Sequence, residues 1–142
     1  MLPTLPPGKA LASMAAAGTA EECGSFYAST SLALAAVETF VNLEPKLRPA
    51  DLVSIEGEIP DAIEIGGLDL RTLPPAWFQR RDESLRRFGD GRIRRGQSAA
   101  LLVPSAAIRG EWNLLLNPAH PDFSRIQFHA PRPFEFDTRM FR

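Results

Sequence analysis

The stretch VPSAAIRGEWNLLLNPAHP, residues 103–121, gathers Ser105, Trp112, Asn113, Asn117 and His120 among aliphatic side chains. Far upstream, SFYASTSLALAAVETFVNL (25–43) holds the single tyrosine, Tyr27, and sets Glu38 in the middle of an apolar run. Burying a carboxylate among aliphatics is costly unless it is paired or hydrogen-bonded. Two roles for Glu38 therefore stay open: an acid that faces solvent or pairs with an arginine, and a catalytic carboxylate at a cleft wall, where perturbed acids concentrate. Tyr27 likewise suits either a core position with a satisfied hydroxyl or a stacking surface for a flat heterocycle.

Ser105 follows a buried apolar run and a proline, at a strand end where α/β and α+β folds often place reactive groups. No GxSxG elbow surrounds it, and no His–Asp spacing suggests a triad, so a hydroxyl that binds ribose or phosphate is favoured over a nucleophile. Asn113 and Asn117-Pro118 are typical turn formers. Two histidines and one cysteine are too few for a zinc site, and Asp122 and Asp137 stand outside any calcium-loop pattern. Neither GxGxxG nor a P-loop is present. The segment FQRRDESLRRFGDGRIRRGQ (78–97) carries Arg80, Arg81, Arg86, Arg87, Arg92, Arg94 and Arg95. A solvated helix face explains it, with a basic patch for an acidic partner or nucleic acid as the alternative; no stacking aromatics are interleaved as a single-strand binder needs.

The elements that must position these residues follow from patterning. Phe26 and Tyr27 suit a short strand, and Ser29, Thr30 and Ser31 offer N-cap oxygens for a helix reaching about Leu43. That helix is apolar on all sides, the pattern of a buried helix. VSIEGEI (53–59) alternates, with Val53, Ile55, Gly57 and Ile59 on one face, as a half-buried strand does. LPPAWF (73–78) opens a charged helix to about Phe88. SAALLVP (98–104) is a buried strand, residues 105–121 a loop, and RIQFHA (125–130) and PFEFD (133–137) the last strands. LASMAAAG (11–18) suits a short helix, because alanine is the best helix former. The fold class expected is α+β, a mostly antiparallel sheet with flanking helices.

The bulk composition excludes several classes. The chain has 142 residues, 44% hydrophobic and 23% charged, which fits one globular domain. A formal net charge of −1 offers no global attraction to nucleic acid or an anionic membrane. The lone Cys23 forms no internal disulfide, and no run approaches the roughly 18 apolar residues of a membrane span. The N-terminus lacks a signal-peptide pattern, so a cytoplasmic location is expected.

Taken together, SFYASTSLALAAVE followed by LLVPSAAIRGEWNLLLNPAHPDFSRI resembles the RES domain family of bacterial toxins. The likeness runs from about Ser25 to Phe141. It implies an ADP-ribosyltransferase-like fold and an enzyme that degrades NAD by breaking the nicotinamide–ribose bond. NAD is then the substrate and no cofactor is needed, with water or inorganic phosphate as acceptor. By the same resemblance Glu38, Ser105 and Tyr27 are the catalytic residues, and Tyr27, Asn117 and Ser105 bind the substrate, Tyr27 by stacking on nicotinamide. Trp112 and His120 become supports.

The resemblance also implies a partner, an Xre-type helix-turn-helix antitoxin that neutralises the toxin and supplies any contact with DNA. A homodimer and a catalytically inactive relic that only binds the antitoxin or itself are the related alternatives. One departure stands out. Family members open with an Arg-bearing strand, whereas residues 1–24 contain no arginine and Lys9 as their single cation. This implies a RES domain over 25–142 without its usual first strands, after a divergent, weakly structured segment 1–24.

Overall fold

The computed structural model describes residues 9–16, 26–44, 50–75, 77–78, 91 and 95–142. Its elements are β1 (Lys9–Ala16), β2 (Phe26–Ser29), α1 (Leu32–Val41), β3 (Leu52–Ile59), β4 (Ile65–Gly67), β5 (Ala100–Pro104), β6 (Trp112–Leu116), β7 (Gln127–Phe128) and β8 (Arg132–Pro133). The strands form one sheet in the order β4-β5-β6-β2-β1-β3-β7, with β8 also paired to β3. β4 and β5 run parallel, and every other pairing is antiparallel. The α+β class with a mostly antiparallel sheet is what the patterning implied.

Several elements differ from their sequence expectation. Residues Lys9–Ala16 are a strand, not the short helix suggested by the alanines. β1 pairs along its whole length with β3 and also meets β2 at Ala12 opposite Ser29. Ladder hydrogen bonds from two neighbours outweigh a helix preference of a few tenths of a kcal/mol per residue. WNLLL (112–116), taken as loop, is a strand between β5 and β2. Asn113 through Leu116 are all buried, so the polar–apolar alternation that announces a half-exposed strand is missing. Ile65–Gly67, for which patterning gave no strand, pairs in parallel with β5. The last strands shrink to two residues each, and Thr138–Phe141 forms a 3-10 turn. The charged helix expected to reach Phe88 falls largely outside the described residues, as do Cys23 and all the clustered arginines except Arg95.

α1 is capped by Ser31, whose Oγ accepts from Leu34 N at 3.1 Å. At its other end Asn42 Nδ2 donates to the Glu38 carbonyl at 2.8 Å. The helix packs on β1 and β2. It is not buried all round: only Leu34 and Ala35 are buried, and Val41 is 51% exposed. Its last turn is held by aromatic rings. Phe40 meets Phe136 and Phe141 edge-on at 5.7 and 5.6 Å, and Phe134 backs Phe136 at 5.1 Å.

Strand alternation divides the core between the two sheet faces. One face buries Ala28, Ile59, Ile63, Ala100, Leu102, Leu114 and Leu116, with Trp112 and Phe123 packed against them. The other carries Leu101, Val103 and Leu115 with Leu68 and Leu73, and Tyr27 and Trp77 lean on it. Register places Ser29 opposite Asn113 and Asn113 opposite Val103, so these polar residues share the second face. No helix among the described residues is long and apolar enough to cross a membrane.

Candidate active site

The second face converges on Glu38. Ser105 continues the Val103 side of β5 one step past the strand, and its backbone N–H donates to Glu111 O at 2.9 Å. Its Oγ donates to Glu38 Oε1 at 2.5 Å and accepts from Ile108 N at 3.0 Å. Asn113 Nδ2 donates to the same Glu38 Oε1 at 2.7 Å. Hydrogen bonds to a charged acceptor at these lengths belong to the strong class. Among the described residues nothing donates to Glu38 Oε2. The carboxylate is therefore fixed through one oxygen and presents the other. The Glu38 side chain is half-buried, and its carboxylate turns to Ser105 and Asn113 on the sheet.

Asn113 organises the cluster. Its second Nδ2 hydrogen goes to Tyr27 Oη at 3.0 Å, and its Oδ1 accepts from Ser29 Oγ at 2.6 Å. The amide orientation follows from these partners: the flipped form would set Oδ1 against the carboxylate. Asn113 and Ser105 are both 0% exposed and Ser29 is 2% exposed, so each group depends on its protein partner. Sequence patterning pointed to a turn at Asn113 and missed this. The signal lay in strand parity, which gives Asn113 and Leu115 the same face once WNLLL is a strand.

The other expected site residues are placed as follows. Tyr27 is half-buried, its ring against the Leu101–Val103–Leu115 cluster and its hydroxyl on Asn113. Asn117 lies at the opposite end of β6, four residues and roughly 13 Å from Asn113 along an extended chain. It is 7% exposed; its N–H donates to Ala99 O at 2.8 Å and its Oδ1 accepts from Ala119 N at 3.1 Å. The structure thus brings Tyr27, Glu38 and Ser105 together and sets Asn117 at the far end. His120 caps the 3-10 turn Pro121–Arg125, its Nδ1 accepting from Asp122 N at 3.1 Å, and Trp112 packs on the first core face. Among the described residues no group of three or more His, Cys, Asp or Glu is arranged to hold a metal ion.

Comparison with known proteins places the chain in a family. The RES domain profile matches residues 14–137, beginning inside β1 and spanning the helix and strands that carry the cluster. The chain is 36% identical over 120 residues to the Prs ADP-ribosylating toxin of Sphingobium sp. (strain YBL2), covering 82% of this chain and 74% of that one. It is 31% identical over 120 residues to a Toxin Res of Yersinia enterocolitica, covering 82% and 77%. A Toxin Res of Photorhabdus laumondii is 30% identical over 118 residues, covering 82% and 75%. With an α+β sheet, a matched profile over most of its length and relatives named as toxins, the chain belongs to the RES domain family.

Proposed function

We propose that this chain is a toxin that destroys NAD by breaking the bond between nicotinamide and ribose. The observation that carries the proposal is the one-sided fixing of Glu38: Ser105 and Asn113 both hold Oε1, and Oε2 is left for a ligand. Scission of an N-glycosidic bond builds positive charge on the ribose ring. A preoriented carboxylate oxygen on a ribose hydroxyl stabilises that oxocarbenium-like state, as in glycosidases. Nicotinamide leaves with the bonding electron pair as a neutral base. Water or inorganic phosphate then attacks the anomeric carbon and gives up a proton, yielding ADP-ribose or its 1-phosphate.

In this scheme Tyr27 stacks on nicotinamide with its hydroxyl anchored to Asn113. Ser105 is fully buried and spends its proton on Glu38, which makes it a positioning group that acts through the carboxylate. Asn117 shapes the far wall. No cofactor takes part; NAD is the substrate. The name of the Sphingobium relative supports ADP-ribosyl chemistry at this bond, and the three relatives' names support toxicity. An Xre-type antitoxin neutralises the toxin in the cytoplasm.

Incubation of the pure chain with NAD, with and without phosphate, followed by nicotinamide measurement, tests the proposal. Release well above that of Glu38→Ala is expected, and none above that background rejects it. A second reading is favoured by one feature, the absence of arginine from residues 1–24: an inactive relic that keeps only antitoxin binding or self-association. Co-purification with an Xre-type protein without NAD turnover is its signature.

A further inference from the structure

The loop that joins β5 to β6 is tied to the site through its own backbone. Ile108 N donates to the Ser105 hydroxyl at 3.0 Å, and Glu111 N donates to Ile108 O at 3.2 Å. Gly110 closes the turn at φ 89°, a left-handed conformation in which a side chain is strained. Arg109 sits between these anchors. Two hydrogen bonds and one Cα step of about 3.8 Å separate its Cα from the Glu38 carboxylate, which places it within on the order of 10 Å.

The Arg109 side chain is also held. Its guanidinium carbon lies 3.7 Å from the Phe78 ring centroid. Phe78 meets Trp77 edge-on at 5.8 Å, and Trp77 packs on the apolar cluster that seats Tyr27. The cation is therefore pinned on the sheet face that carries Glu38. It is exposed, and among the described residues no carboxylate pairs with it, whereas Arg71, Arg125 and Arg139 each have an aspartate partner. A guanidinium stacked on a ring keeps its planar donor fork available, and prior ordering of the side chain lowers the entropy lost when an anion binds.

We infer that Arg109 is the cation that grips the phosphates of the substrate, with Phe78 aiming it. The inference rests on the NAD reading of the site. It assigns to the β5–β6 loop a task for which residues 1–24 hold no arginine.

Nicotinamide release from NAD and from nicotinamide riboside, which lacks phosphate, tests this on the full chain, beside calorimetric titration with ADP-ribose. Arg109→Gln should raise KM for NAD and weaken ADP-ribose binding roughly 10- to 100-fold, the equivalent of one hydrogen bond to a charged group. Turnover of the riboside should be unchanged. Arg109→Lys should recover part of the loss, and Phe78→Leu should show a smaller loss of the same kind. Equal ADP-ribose affinity in wild type and Arg109→Gln overturns the inference, as does a wild type that binds no ADP-ribose. A wild type that binds ADP-ribose through Arg109 yet releases no nicotinamide sinks the cleavage proposal alone.

Discussion

Glu38 of α1 and Asn113 of β6 are 75 positions apart in the chain and meet at 2.7 Å, amide to carboxylate. Asn113 joins that contact to Tyr27 and Ser29, and Glu38 joins it to Ser105. Both amide hydrogens and the amide oxygen are used, and the Asn113 side chain is itself fully buried. Such a network holds a charge in one orientation, and each member is costly to remove.

Replacing Glu38 by Gln keeps the shape of the side chain and removes the charge. Nicotinamide release from NAD should fall ~10²–10³-fold, as when one electrostatic contact to a transition state is lost. The melting temperature should stay close to wild type. A loss of activity matched by unfolding would instead assign Glu38 a structural role.

Asn113 separates positioning from charge. Asn113→Ala leaves the buried Ser29 hydroxyl without its acceptor and Glu38 with one donor fewer, so denaturant titration should record about 1–3 kcal/mol of lost stability. Asn113→Asp sets a second carboxylate against Glu38. Two carboxylates that close cannot both ionise readily, and a shared proton restores the donor. Its residual activity should therefore rise as pH falls, relative to a wild-type profile measured alongside.

Tyr27 offers ring and hydroxyl as separable parts. Tyr27→Phe removes the hydroxyl that accepts from Asn113 and should cost about 1 kcal/mol of stability, because the half-buried position admits water. Tyr27→Ala also removes the stacking surface and should raise KM for NAD about tenfold or more, with base–aromatic stacking worth roughly 1–3 kcal/mol. Equal KM in both variants would show that the ring does not touch substrate.

Phe136 ties the last turn of α1 to the end of the chain through Phe40 and Phe141. Phe136→Ala should destabilise by about 1–3 kcal/mol, below the 3–5 typical of a fully buried ring because Phe136 is half-buried. Turnover should drop at temperatures where the chain is still folded, since Glu38 lies two residues before Phe40. Unchanged turnover at unchanged fold would separate the aromatic clamp from the site.

The antiparallel α+β class, strands β2, β3 and β5, the helix bearing Glu38 and its capping by one of three adjacent hydroxyl residues were legible in the sequence. Alternation and N-cap chemistry are local, and they survive in any tertiary setting. β3 shows this well: Ile55, Gly57 and Ile59 are buried and Glu56 and Glu58 exposed, as their period of two demands. β6 and β1 were hidden for opposite reasons. WNLLL is buried on both faces and shows no period, and KALASMAA has the residues of a helix but the neighbours of a strand.

Residue types alone thus determined that this chain carries an unusual acid, a lone tyrosine and a serine after a buried strand, in an order matching one toxin family. Only the tertiary structure decided that Asn113 is the hub, that Ser105 gives its proton to Glu38, and that Arg109 stands on Phe78. Those facts depend on strand register and on contacts across 31 to 86 positions of chain. Register is set by the cooperative packing of a whole sheet, which no local run of residues encodes.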